Sequence, residues 1–176
     1  MRGVHFFGAF LHGAHFFIMG DLRVEIYRIT FAGHREIVGQ CRLVDRIEQI
    51  VKDKLCENEY VEFYVGRNGD FDIFVASAVK KAQKAIGHHN SSLILVQPYK
   101  MRDDEYYEKF YDEVQYPIES KIYPKAAITK RNKWMVDNAD MLIAFVEEGR
   151  KGGALTTLKY AEKQGVEIIN LAVCDK

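Results

Sequence analysis

The feature that most limits what this chain can fold into is a repeated alternation of periods. Short β-branched and apolar runs are separated by longer segments whose apolar residues recur at helical spacing. Residues 24–31 (VEIYRITF) read as a strand that closes at Ala32-Gly33. Residues 41–57 follow, with Val44, Ile47, Ile50, Val51 and Leu55 on one helical stripe. A second strand, 60–65 (YVEFYV), ends at Gly66, and Asn68-Gly69 marks a turn. Asp70 is predicted to cap a helix that buries Phe71, Phe74, Val75, Ala78, Val79 and Ala82. Further strands are predicted at 93–96 (LILV), 141–146 (MLIAFV) and 166–173 (VEIINLAV), with helices at 124–138 and 154–163 between them. Residues 99–123, rich in Tyr, Asp, Glu and Lys, are predicted to hold a short helix around 105–111 and then a loop through Tyr116-Pro117. Strands alternating with helices imply an α/β domain: a parallel sheet of about five strands with helices on both faces. No linker divides it, and 176 residues suffice for one domain with a real core.

Composition excludes several classes. Lys+Arg and Asp+Glu are both 25, so a generic basic surface for duplex DNA is not indicated. Cys41, Cys56 and Cys174 lie far apart without C-x-x-C spacing, which points away from disulfides and zinc and fits a reducing cytoplasm. Residues 3–18 (GVHFFGAFLHGAHFFI) are apolar but too short to span a membrane comfortably, and histidines interrupt them. His5, His12 and His15 have no carboxylate or Cys beside them, so no metal is expected there. Residues 1–21 are read as an extension outside the fold and 22–176 as the domain.

In open parallel sheets, ligands bind beyond the carboxyl ends of the strands, where strand order reverses. The loops at that edge begin Ala32-Gly33-His34-Arg35, Gly66-Arg67-Asn68-Gly69-Asp70 and Glu147-Glu148-Gly149-Arg150-Lys151-Gly152-Gly153. Each sets glycine beside arginine. Glycine lets backbone approach a ligand, a helix N-terminus offers free N–H groups, and arginine supplies a charged fork suited to phosphate. The chain has no G-x-G-x-x-G after its first strand, no Walker lysine motif and no G-x-S-x-G. The dinucleotide, NTPase and hydrolase-elbow fingerprints are thus missing.

Six segments occur in order: ITFAGHRE (29–36), FYVGRNGDFD (63–72), VQPY (96–99), KRNKWMVDNADMLIAF (130–145), KGGALTTLKYAEKQG (151–165) and EIINL (167–171). Together they resemble the SLOG superfamily, specifically its YpsA-like branch, over about residues 24–173. The resemblance implies a Rossmann-like domain whose ligand is a nucleotide or a relative of one. The superfamily includes the Lonely Guy phosphoribohydrolases, which cleave the N-glycosidic bond of nucleoside monophosphates, and DNA-processing protein A, which binds single-stranded DNA. It implies ligand-binding roles for Gly33, His34, Arg35, Gly66, Asn68, Gly69, Asp72, Arg131, Gly152, Gly153 and Thr156, and no cofactor.

The Lonely Guy motif reads P-G-G-x-G-T-x-x-E after an R-K-x-x-M helix. Arg131, Met135, Gly152, Gly153 and Thr156 match it. Lys151 replaces the proline, Leu155 the third glycine and Lys159 the catalytic Glu. A lysine cannot supply the carboxylate that stabilises an oxocarbenium-like centre or activates water. The leading expectation is therefore a non-catalytic binder or sensor. One alternative is an N-glycosidase whose acid–base groups have moved to Glu147, Glu148, Asp70 or Asp72. Another is single-stranded nucleic-acid binding through Lys100, Arg102, Lys121, Lys125, Lys130, Arg131 and Lys133 with Tyr99, Tyr106, Tyr107 and Tyr123. Trp134 is read as core or dimer contact, and a homodimer is an expected assembly. Asp140 is read as structural, Thr157 as packing, and Tyr106, Tyr107 and Tyr111 as lid, base-stacking or surface-helix residues.

Overall fold

The computed structural model describes residues 17–19, 22–38, 42–100, 107, 109–118 and 123–172. Among them the chain forms β1 (Phe17–Met19), β2 (Leu22–Val24), β3 (Ile26–Gly33), α1 (Leu43–Glu57), β4 (Tyr60–Val65), α2 (Asp70–Ile86), β5 (Ser91–Val96), β6 (Glu113–Gln115), α3 (Pro124–Asp137), β7 (Met141–Phe145), α4 (Gly153–Gln164) and β8 (Glu167–Asn170). Six strands make one parallel sheet in the order β6-β5-β4-β3-β7-β8. The chain winds outward from β3 to β6, then returns to place β7 on the other side of β3. Strand order therefore reverses between β3 and β7, the position at which such sheets open a crevice.

The sheet has six strands rather than about five. The extra one is β6, three residues paired in parallel with 94–96 of β5. It is held by Asp112, whose carboxylate accepts the Leu93 N–H (2.7 Å) and the Lys80 ammonium (2.8 Å). Burial opposes the charge on Asp112, but these donors, with Gln83, hold its carboxyl below the usual range. The helix expected around 105–111 falls largely outside the described residues, as do residues 1–16 with their three histidines. The first predicted strand starts two residues later than expected: Val24 belongs to Leu22–Val24, which pairs antiparallel with Phe17–Met19 in a separate ribbon, and β3 enters the sheet from Ile26.

Side chains alternate across the sheet, as strand geometry requires. Ile29, Phe31, Val61, Phe63, Val65, Met141 and Ile143 join the stripes of α1 and α2 in one buried cluster. Phe63 and Phe71 are fully buried there, each contributing roughly 1.5–3 kcal/mol. On the opposite face, Ala32, Leu142 and Ala144 pack on Leu158 and Ala161 of α4. Tyr64, Ile94 and Val96 pack on Met135 of α3. Pro124 opens α3, where its missing N–H costs nothing. Gly165 closes α4 in the left-handed region at φ 73°.

A polar network lies within this second face. Arg28 Nε donates to Glu62 (2.8 Å) and to the Tyr64 hydroxyl (3.2 Å), and Tyr64 donates to Glu62 (2.9 Å). Asp140 accepts the Arg28 N–H (2.8 Å) and returns its own N–H to the Arg28 carbonyl (2.8 Å). Asp140 thus fixes the entry to β7, at the edge opposite the crevice.

Candidate functional site

A cavity of about 490 Å³ occupies the crevice at the carboxyl ends of β3 and β7. Four segments wall it: the end of β3 with the residues after it, the start of α2, the N-terminal half of α3, and the loop into α4. Three helices thus turn their N-termini toward one space. Helix N-termini carry uncommitted N–H groups and partial positive charge, which favours anions. The side chains agree in sign: Arg35, Lys125, Arg131, Arg150 and Lys151 line the cavity against the carboxylates of Glu36 and Asp72.

Of the residues singled out in the sequence, Gly33, His34, Arg35, Asn68, Gly69, Asp72, Arg131, Gly152 and Gly153 line this cavity. Gly66 and Thr156 do not. Gly152 and Gly153 have open space where a Cβ would stand, and Gly152 has φ 149°, which L side chains rarely adopt. Backbone is exposed here as a cradle requires. The other glycines serve packing. A Cβ on Gly33 would lie 2.2 Å from the Phe71 ring, and one on Gly69 would lie 2.4 Å from the Arg35 Cα. A Cβ on Gly66 would lie 2.3 Å from Arg131 Nη1, so this glycine makes room for the arginine.

His34 is 5% exposed and bridges two strands, its Nε2 accepting the Glu147 N–H at 3.1 Å. That bond places the proton of the neutral ring on Nδ1. Burial, and then the Arg150 guanidinium, push its pKa below the ordinary histidine value, partly opposed by Glu147. Arg150 itself is held by Glu147 (2.7 Å) and the Glu36 carbonyl (3.0 Å).

Arg131 is 4% exposed. Among the described residues its guanidinium reaches one hydrogen-bond acceptor, the weak Met135 sulfur at 3.7 Å, and its Nε has none. Burial lowers its pKa, while the Asp72 carboxylate opposes that shift. Burial likewise raises the Asp72 pKa, against the attraction of Arg131, the Asn68 N–H (2.6 Å) and Arg35. The two charges stabilise each other, but neither is fully compensated. Tyr111 lies close enough to feel them: burial first, then Asp72, push its hydroxyl up to about 12.

Two local expectations are corrected. Asp70 is not the cap of α2. The cap is Gly69, without a side-chain bond, and the Asp70 carboxylate turns back to the Ile37 N–H (3.0 Å), holding the loop after β3. Thr156 directs its hydroxyl proton to the Gly152 carbonyl (3.1 Å) and stands outside the cavity wall. Thr157 is the threonine in the wall, buried, donating to the Gly153 carbonyl (2.9 Å) and accepting from Asn132 (3.2 Å).

Sequence reasoning missed Ile128, Thr129 and Asn132 of this wall, all on α3, and named Lys125 only for single-stranded nucleic acid. Three- and four-residue spacing from Arg131 along that helix would have marked Ile128 as its neighbour. Glu147 and Glu148 do not line the cavity, and Lys159 is exposed on the outer side of α4. Among the described residues no group of three or more His, Cys, Asp or Glu is placed to hold a metal. Nor, among those residues, is any helix long and apolar enough to cross a membrane.

No family model matches the chain, and no curated protein matches it. Solved structures do. DNA processing protein A from Streptococcus pneumoniae superposes with a TM-score of 0.57 at 15% identity, over 81% of this chain and 49% of that one. DNA processing protein A from Helicobacter pylori, whose structure describes a single-stranded DNA binding mode, gives 0.56 at 12% identity, over 81% of this chain and 63% of that one. The chain thus spans less than two thirds of either neighbour. At these identities the likeness establishes the fold: the domain is Rossmann-like, of the type those proteins carry.

Proposed function

We propose that this chain binds or senses a nucleotide, or a nucleotide-derived phosphate ligand, in the cavity between β3 and β7. The observation that carries this reading is the start of α4. There Gly152 and Gly153 leave the backbone bare beside Lys151, in a wall shared with Arg35 and Arg131. Free N–H groups, a helix dipole and the exposed cations Lys151 and Arg35 together match a phosphate. The motifs shared with the YpsA-like branch of the SLOG superfamily support the nucleotide character of the rest of the ligand. The function is binding rather than cleavage, because Lys159 replaces the carboxylate of the related hydrolases and stands away from the cavity. The protein acts in the cytoplasm, as a homodimer. Trp134, half-buried against Tyr64 with ring centroids 5.5 Å apart, leaves part of its indole for such a contact.

Calorimetry with nucleoside monophosphates, ADP-ribose relatives and cyclic nucleotides tests this reading. At least one class is expected to bind, with affinity falling as salt rises; no heat with any of them contradicts it.

Single-stranded DNA is the second reading, favoured by the Helicobacter pylori neighbour. Tyr99, Tyr123, Lys100, Lys125, Lys130 and Lys133 are exposed groups suited to stacking and backbone contact. Arg102, Lys121 and Tyr106 of the same cluster lie outside the described residues. A gel shift at low salt that fails to appear removes this reading.

A further inference from the structure

The two ends of the cavity differ in what they offer a ligand. β3 lies between β4 and β7, so the loops after β4 and β7 are two strand spacings apart, about 10 Å. The β7 end presents donors and positive charge: Lys151 and the first N–H groups of α4. The β4 end presents an acceptor beside a donor. One oxygen of Asp72 takes the Asn68 N–H, and the other has no hydrogen bond from the described residues. Beside it, the buried Arg131 guanidinium has, among the described residues, only the Met135 sulfur as acceptor. Gly66 leaves room for the pair, since a Cβ there would come within 2.3 Å of Arg131 Nη1 and 3.0 Å of Asp72 Oδ2.

A phosphate offers acceptors only, and at the β4 end it would face a carboxylate of like charge. A neutral group that both donates and accepts satisfies Asp72 and Arg131 together. We propose that the ligand is anionic at one end only. Its phosphate lies at the start of α4, and the group met by Asp72 and Arg131 is a neutral donor-plus-acceptor, a ribose diol or a base edge. This rests on the nucleotide reading above. It assigns Arg131 to the uncharged part of the ligand. The Asp72–Arg131 pair is then the selectivity device of the site: it rejects nucleotides that carry phosphate at both ends.

The test is titration calorimetry of the full chain with ribonucleoside 5′-monophosphates, the matching 3′,5′-bisphosphates and the matching 2′-deoxynucleoside 5′-monophosphates. The monophosphates are expected to bind at least tenfold more tightly than the bisphosphates. Asp72→Asn, which keeps an oxygen for the Asn68 N–H, is expected to weaken the monophosphates and to erase most of that gap. A tenfold loss with the deoxynucleotides supports the proposal with the diol as the recognised group. Unchanged deoxynucleotide binding that Asp72→Asn still weakens supports it with the base edge. Bisphosphates that bind the wild-type chain as tightly as monophosphates, or more tightly, overturn the proposal, whether or not the variant folds. In that case the nucleotide reading stands. Absence of binding by every nucleotide overturns both.

Discussion

Arg28 and Arg131 are both nearly inaccessible to water, at 6% and 4% exposure, yet the fold treats them differently. Arg28 donates to Glu62 and Tyr64, its backbone is tied to Asp140, and Tyr64 completes the ring of bonds by donating to Glu62. Among the described residues, Arg131 has a thioether, a carboxylate it feels only through its charge, and no partner for its Nε. A buried polar group without partners costs stability, so folds keep few of them. The arginine near the amino edge is bonded as structure requires. The one at the carboxyl edge is left under-bonded where strand order reverses, facing a cavity. The difference is what the proposed ligand role of Arg131 requires: a buried cation that the described residues leave under-bonded at the cavity.

Substitution at the two arginines gives the largest effects and can break this comparison. Arg28→Met strands Glu62 inside its network, and equilibrium unfolding in urea is expected to show a loss of about 3 kcal/mol. Arg131→Met removes an under-bonded cation and adds apolar surface beside Met135. Asp72 keeps the Asn68 N–H but loses the attraction of Arg131, so stability is expected to fall by about 1–2 kcal/mol, less than in Arg28→Met, while nucleotide affinity falls by roughly 100-fold, about 2.7 kcal/mol. If Arg131→Met unfolds the chain as readily as Arg28→Met, the two arginines do the same job and the contrast fails.

Two glycines sharpen it at smaller scale. Gly33→Ala drives a methyl into the Phe71 ring, and the same unfolding experiment is expected to report a loss of roughly 1–3 kcal/mol. Gly153→Ala meets nothing within 4 Å. Its midpoint is expected to stay near the wild-type value while nucleotide affinity drops several-fold in calorimetry, because the methyl enters the cradle.

The smallest expected effect is in pH. His34 is neutral in the fold, accepting the Glu147 N–H, and its folded pKa lies below the ordinary 6.5. The unfolded chain therefore takes up the proton first as pH falls. Its contribution to stability is complete above about 6.5 and is lost as pH drops through the folded value. Thermal unfolding scans between pH 7.5 and pH 5, values chosen to bracket about 6.5, are expected to show melting temperature falling toward acid, with a shallower slope in His34→Asn.

The central strands were legible because burial on both faces leaves continuous apolar runs such as LILV and MLIAFV. β6 was not. Its three residues, Glu-Val-Gln, carry no pattern of their own, and they form a strand only because Asp112 pins the segment to β5 and α2. Val24 was joined to β3, and the pairing of Leu22–Val24 was missed, because nothing in the local sequence shows that the two stretches have different partners. At the site, the loops after strands were legible because glycine and arginine stand together there. The α3 wall was not, since its place depends on how a helix of weak apolar periodicity packs over the sheet. The packing roles of Gly33 and Gly66 were also hidden. A glycine that admits a phosphate and one that admits Phe71 or Arg131 look the same in one dimension.

Native mass spectrometry tests the central claim most directly: the chain, incubated with a panel of nucleoside phosphates, is compared with Arg131→Met. The account predicts a one-to-one adduct carrying the mass of a phosphorylated nucleoside on the wild-type chain, largely lost from the folded variant. The same adduct retained at full intensity on Arg131→Met, or no adduct on the wild-type chain with any member of the panel, would contradict it.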